Sequence, residues 1–225
     1  PTLQAGSDSR ILTPMGAILD GKLLAQRVRL EVKEAVLRFQ ANHDCTPGLA
    51  TVLVGDDSVS RVYVGTKEKA CREVGMQSFG YRLPATASAT EVLAVITELN
   101  TRTDVHGVLI QLPLPVHLAK EKVIEALTPE KDVDALHPLN QGRLLLGEEG
   151  LRPCTPLGVM RLIDESGVSL VGKRAVVIGR SLLVGKPLAL MLLERDATVT
   201  CCHSRTERLA DEVQAADVVV AAIGH

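Results

Sequence analysis

Short, nearly uninterrupted apolar runs alternate along this chain with segments of helical period, and that alternation leaves few folds open. Leu49 to Val54 is such a run, bounded by Gly48 and Gly55, as expected of a strand covered on both faces. The pattern then predicts a helix from about Ser58 to Val74 stopped by Gly75, and a strand over 76–83. Ser88-Ala-Thr-Glu91 has the form of a capping box and opens a helix to Asn100. A third strand, His106 to Ile110, leads into Gln111-Leu-Pro-Leu-Pro115. The order β-α-β-α-β calls for a parallel sheet. Ahead of it, Asp20 is placed to cap a helix running to Asn42 with an apolar stripe of Leu23, Leu24, Val28, Val32, Val36 and Phe39.

After a helix at 118–127, the segment from Pro129 to Pro153 is rich in Asp, Gly, Pro and Asn, shows no long period and reads as a connection between domains. Thr155-Pro156 is read as an N-cap and first helical residue, opening a helix to about Ser166. A second β-α-β-α-β unit follows: strands at 175–178, 197–201 and 217–222, with helices ending near Glu194 and over 207–215. The fold class is therefore α/β, with two parallel-sheet domains, the second Rossmann-like, and a cleft between them. The expected division is a disordered tail at 1–15, with Met15 as a natural start, a catalytic domain at 16–150 and a dinucleotide-binding domain at 151–225 that is incomplete at its C-terminus.

Composition narrows the function classes. In 225 residues with a formal charge of -2 and scattered Lys and Arg, there is no basic field to hold nucleic acid. No apolar run approaches the roughly 18 residues of a membrane span, and residues 1–15 lack the character of a signal or transit peptide. Five cysteines, an odd number without CxxC spacing, argue against disulfides and zinc and for a reducing compartment. Cys201-Cys202-His203 does not make a metal site, because strand neighbours point to opposite faces.

Between a strand and a helix of the second unit lies Gly179-Arg-Ser-Leu-Leu-Val-Gly185-Lys-Pro187, where backbone N–H groups and a helix N-terminus can hold a pyrophosphate. It does not satisfy GxGxxG: Ser181 and Val184 stand at the second and third glycine positions, so a plain strand-to-helix turn is an equally open reading. At the end of the next strand an NAD-binding fold places Asp or Glu on the ribose. Here the chain has Cys202-His203-Ser204-Arg205-Thr206, and Ser204 and Arg205, with Arg180, suit a 2'-phosphate. NADP is preferred over NAD. The alternative is that both arginines are solvated surface cations.

In the first unit Ser60, Tyr63 and Lys67 fall at i, i+3 and i+7 on one helical face and are assigned to its core-facing stripe. A lysine there either snorkels to solvent or is partly desolvated and available as a base. Gln111 after the third strand and Asp134 in a later loop both reach the carboxyl edge where ligands bind. Taken singly, they are also a turn residue and a solvated acid.

Five ordered segments, Val54-Gly-Asp-Asp-Ser-Val-Ser-Arg-Val-Tyr63-Val-Gly-Thr-Lys67-Glu-Lys-Ala70, Gly107 to Pro115, Pro129-Glu-Lys-Asp-Val-Asp134, Pro153-Cys-Thr-Pro156 and Gly179 to Pro187, make the chain from Gly16 onward resemble the methylenetetrahydrofolate dehydrogenase/cyclohydrolase family. The resemblance implies NADP-dependent oxidation of 5,10-methylenetetrahydrofolate to the methenyl form and its hydrolysis to 10-formyltetrahydrofolate, a one-carbon step serving purine biosynthesis. It implies that Tyr63 packs along the folate, Lys67 is the catalytic lysine, Gln111 supports it and Asp134 binds the pterin, with Ser60, Leu112 and Pro113 also on the substrate. It implies that Gly179, Arg180, Ser181, Val184, Gly185, His203, Ser204 and Arg205 hold NADP, while Cys154, Thr155, Ile223 and Gly224 approach the nicotinamide. It suggests a homodimer in the cytoplasm, or in the mitochondrial matrix for an organellar form.

Two departures stand out. Ala135 replaces the family's usual Gly, so a positive φ there would be strained. Family members also continue past His225, so the chain reads as a C-terminally truncated member. The alternative function is an inactive relative kept as a binding or dimerising module. A monofunctional dehydrogenase and a shikimate-dehydrogenase-like oxidoreductase are further alternatives, the latter lacking the Tyr63, Lys67, Gln111 and Asp134 set.

Overall fold

Local signals account for most element boundaries in the computed structural model, which describes residues 16–224. The expectations for residues 1–15 lie outside that range. Helix α1, Gly21–His43, starts where Asp20 Oδ1 accepts from the amides of Lys22 (2.9 Å) and Leu23 (3.1 Å). Its expected apolar stripe is only partly covered: Leu24 and Val36 are buried, whereas Leu23 is 55% exposed. Strand β1, Gly48–Val54, is followed by α2, Ser58–Glu73, β2, Gln77–Leu83, α3, Ala89–Thr101, and β3, Gly107–Ile110. The capping box of α3 is present in both directions between Ser88 and Glu91. β1 is central and pairs in parallel with β2 and β3, giving the order β2-β1-β3.

The second sheet repeats the plan. Helix α6, Cys154–Ser166, precedes β4, Arg174–Ile178, α7, Gly185–Leu193, β5, Thr198–Cys202, α8, Leu209–Gln214, and β6, Val218–Ala221, in the parallel order β5-β4-β6. Cys201 is exposed and Cys202 buried, the alternation a strand imposes. Each sheet has its own core. Val52, Ile96, Leu99, Val108 and Leu127 gather on the first, and Met160, Val177, Leu188 and Leu192 on the second. Ion pairs from α1 to α6, Arg27 with Glu165 (2.5 Å) and Glu31 with Arg161 (2.8 Å), tie the two units at the surface.

Three expectations need correction. The segment between Pro129 and Pro153 is not a plain connection: after α4, Lys120–Glu125, it holds a 3₁₀ turn at Pro129–Lys131 and helix α5, Pro138–Leu146. Its signals were short but present, His137 and Pro138 at the start and Gly147 in the left-handed region at the end. Leu144 of α5 is buried in the second core. Next, α6 begins at Cys154 with Pro153 as N-cap and no side-chain cap, so Thr155 lies inside the first turn. Lastly, the buried face of α2 is Ser60, Val64, Glu68 and Cys71, while Tyr63 is 59% exposed and Lys67 half-buried. Glu68, which the periodicity did not flag, is held by Thr51 Oγ1 (3.1 Å) and by Arg82 Nη2 on both oxygens (3.1 Å). A carboxylate survives at that depth because its lone pairs are used.

Ala135 adopts φ 52 and is fully buried. Relief of about 1–2 kcal/mol of left-handed strain on replacement by glycine is offset by about 0.4–1 kcal/mol of chain entropy and about 0.8 kcal/mol for a lost buried methyl. Ala135→Gly is therefore expected to leave stability within about 1 kcal/mol of the parent in urea unfolding. A larger change in either direction would mean that the turn is not strained as described.

Candidate active site

The carboxyl ends of the strands carry the polar groups singled out from sequence, and the fold brings most of them to two adjoining hollows. Lys67, two turns into α2, reaches over the end of β3, where its Nζ donates to Gln111 Oε1 at 3.3 Å. Gln111 Nε2 donates in turn to the carbonyl of Leu112 at 2.7 Å, which aims the amide oxygen at the amine. The Leu112–Pro113 peptide is cis. Gln111 and Leu112 share a crevice of about 170 Å³ with Asp134, Cys154, Thr155 and Val184, so residues of both units face one another across it. Ile110, Leu136, Pro153 and Leu183 complete its apolar walls and were not foreseen.

Cys154 shows how close the charged groups are. Its Sγ donates to the carbonyl of Val133 at 3.3 Å. Burial, then the negative charge of Asp134 and a hydrogen bond to it, push the thiol up to about 12, opposed by the Lys67 ammonium. Cys154 is exposed and lines the crevice. It stays a neutral thiol at physiological pH and is not a nucleophile.

Tyr63 lies one helical turn before Lys67 and is open to solvent; neither residue is in the crevice's lining. Ser60 is buried at the start of α2, its amide donating to Asp57 Oδ2 at 2.7 Å, and it too is outside the lining, as is Pro113. The spacing that put Ser60 beside Tyr63 and Lys67 holds along the helix. Packing then turns Ser60 inward, towards Val64 and Glu68.

The second hollow, about 390 Å³, lies over the carboxyl end of the second sheet and gathers Gly179, Arg180, Ser181, His203, Ser204, Ile223 and Gly224. Leu209, at the start of α8, closes it and was missed: its only signal is a lone apolar residue after a polar loop. Gly179 has φ 130, and a side chain there would strike the carbonyl of Ala222. A side chain on Gly185 would strike the backbone of Gly179 and Arg180. Both glycines are thus required by close backbone approach, and the turn is more than an ordinary strand-to-helix connection. Ser181 Oγ accepts from the amides of Val184 (3.2 Å) and Gly185 (3.3 Å). Its two lone pairs are spent on the turn, leaving its O–H free to donate to a phosphate. After β5 the His203 amide donates to Thr206 Oγ1 (2.9 Å) and His203 Nδ1 accepts from the Arg205 amide (3.2 Å), a tight loop that sets Ser204 over the hollow. A glycine cradle at a helix N-terminus with Arg180 on its rim fits a dinucleotide phosphate. Among the described residues no cluster of three His, Cys, Asp or Glu can hold a metal ion, and no helix is long and apolar enough to cross a membrane.

The catalytic domain of tetrahydrofolate dehydrogenase/cyclohydrolase matches residues 19–134, and the NAD(P)-binding domain of the same family matches 153–225. A bifunctional protein FolD of Magnetococcus marinus is 55% identical over 210 residues, covering 93% of this chain and 74% of that one. The solved structure of the Campylobacter jejuni bifunctional enzyme FolD, a methylenetetrahydrofolate dehydrogenase/cyclohydrolase, superposes with a TM-score of 0.89 at 44% identity, over 92% of this chain and 74% of the other. The Trypanosoma brucei dehydrogenase-cyclohydrolase, complexed with NADP and an inhibitor, gives a TM-score of 0.91 at 37% identity, over 95% and 73%.

Proposed function

Because this chain belongs to the tetrahydrofolate dehydrogenase/cyclohydrolase family, we propose that one crevice performs both of its reactions: NADP-dependent oxidation of 5,10-methylenetetrahydrofolate, then hydrolysis of the methenyl product to 10-formyltetrahydrofolate. The observation that carries the reading is the Lys67 to Gln111 hydrogen bond at the edge of a crevice whose far wall, Val184, belongs to the glycine turn. NADP, when bound, supplies the acceptor for the hydride that leaves the one-carbon bridge.

The residues divide the remaining work. Asp134 faces the crevice as a carboxylate suited to the N–H donors of the pterin, and Tyr63 offers an aromatic face along the rest of the folate. Leu112, Leu136 and Pro153 keep bulk water from the reacting carbon. In the second step water adds to the cationic methenyl carbon. The Lys67 amine is the acceptor of the proton that the water gives up, and Gln111 holds the amine in place. The C–N bond to N5 then breaks as the proton of the added hydroxyl passes to N5, leaving the formyl group on N10. The thiol of Cys154, neutral beside Asp134, adds no competing charge.

Gly179, Arg180, Ser181, Val184, Gly185, His203 and Ser204 are assigned to the dinucleotide, with Arg180 and Arg205 on the 2'-phosphate, and Thr155, Ile223 and Gly224 towards the nicotinamide end. We divide the chain into a folate-binding unit at 16–150 and a nucleotide-binding unit at 151–225, with α5 packed on the latter. A homodimer through the nucleotide-binding units is part of the same reading, supported by exposed Leu193 and Val219 there. A cytoplasmic or matrix location is supported by five free cysteines.

The test is absorbance kinetics on methylenetetrahydrofolate with NADP and with NAD, followed by decay of methenyltetrahydrofolate. Both activities are expected. The variant Arg180→Ala/Arg205→Ala is expected to raise KM for NADP about tenfold or more, as loss of charge-assisted bonds does, and to leave KM for NAD nearly unchanged. Equal losses with both cofactors would remove the arginines from the 2'-phosphate.

A further inference from the structure

The turn that presents Asp134 is held largely from α5. Asp132 is 3% exposed, and its Oδ2 accepts from the His137 amide (2.7 Å) and from Asn140 Nδ2 (3.0 Å). Asn140, itself 1% exposed, donates from the same nitrogen to the carbonyl of Pro129 (2.8 Å). Gln141 Nε2 donates to the carbonyl of Ala135. Within the turn the Ala135 amide donates to the Asp132 carbonyl (3.0 Å), and the Val133 amide reaches Val108 on β3 (3.4 Å). The backbone on both sides of Asp134 is therefore pinned, while its carboxylate stays on the crevice.

The opposite end of α5 is anchored elsewhere. Leu144 is 1% exposed in the core of the second sheet, among Met160, Leu188 and Leu192. One short helix thus grips the Asp134 turn with its first residues and the nucleotide-binding core with its last. Burying a carboxylate and an amide is costly, the more so because Asn140 Oδ1 finds no partner; an apolar pair would pack the same volume without that cost but without fixing the turn's position.

We propose that Asp132, Asn140 and Gln141 are positioning residues: through α5 they register the Asp134 carboxylate against the nucleotide-binding sheet and so set where the folate lies relative to the cofactor. The inference rests on the reading of Asp134 as the pterin ligand. Misplacement by about 1 Å costs catalysis on the order of 100-fold, so even partial slackening of this strut is measurable.

The test is a double-mutant cycle on the full chain between Gln141→Met and Asp134→Ala, with Asp132→Asn as a second probe of the same clamp. Gln141 is half-buried, and methionine keeps its stem, so the fold is retained. In the parent background Gln141→Met is expected to raise KM for methylenetetrahydrofolate about fivefold, with the thermal midpoint and KM for NADP unchanged. In the Asp134→Ala background it is expected to add nothing, because the residue acts through Asp134. Additive effects, a parallel rise in KM for NADP, or folate KM values within twofold of the parent for both Gln141→Met and Asp132→Asn would overturn the proposal. If Asp134→Ala alone leaves folate KM unchanged, it is the pterin assignment that fails, and the positioning role falls with it.

Discussion

Lys67→Met is expected to lower cyclohydrolase kcat by about 10²- to 10⁴-fold, the range that a positioned proton acceptor supplies, while dehydrogenase turnover falls much less. The asymmetry follows from the chemistry: hydrolysis must dispose of a proton from water, whereas hydride transfer releases none to the protein. Methionine preserves the unbranched stem that packs along α2, so only the amine and its bond to Gln111 are lost. Single-turnover decay of methenyltetrahydrofolate measures the first activity and NADPH formation the second. Cyclohydrolase turnover within tenfold of the parent would remove Lys67 from the proton path.

Gly185→Ala is expected to weaken NADP binding by about 5- to 150-fold, because an overpacking cost of about 1–3 kcal/mol falls on the amides proposed to hold the pyrophosphate. The added methyl group meets the backbone of the Gly179–Arg180 peptide, its carbonyl oxygen and carbon and its nitrogen, and no side-chain rotation relieves it. Gly158→Ala on α6, where nothing lies within 4 Å of the added carbon, serves as the matched control and should bind NADP as the parent does. Fluorescence titration with NADPH reads both. Parent-like affinity in Gly185→Ala would show that the turn relaxes freely and is no cradle.

Much of the architecture was legible because it rests on neighbours in the chain. Asp20, Ser88 with Glu91, and Gly75 mark element ends through bonds or backbone angles spanning a few residues. The runs at Leu49–Val54 and 175–178 read as covered strands, and β1 and β4 lie there. Where the signal was weak the reading failed for identifiable reasons. Helix α5 has nine residues and a glycine inside it, too short for its period to rise above the turn residues around it. On α2 the helical spacing correctly joined Ser60, Tyr63 and Lys67, but spacing leaves a helix free to rotate as a whole. Burial of Ser60, and of Glu68 bonded to Thr51 of β1 and Arg82 of β2, set that rotation and turned Tyr63 outward.

By itself, then, the amino-acid order determined two parallel α/β units, a glycine turn over the second, a lysine on the helix after the first strand, a glutamine at a strand end and an aspartate in a loop, since periodicity and turn chemistry act over one or two turns of chain. Only the tertiary structure decided that β1 and β4 are central, that Lys67 meets a glutamine 44 residues away, and that a helix rooted in the nucleotide-binding core holds the Asp134 turn. Those outcomes depend on strand register and on how side chains fill a shared core. Such terms are sums over many distant contacts, and no local window of sequence contains them.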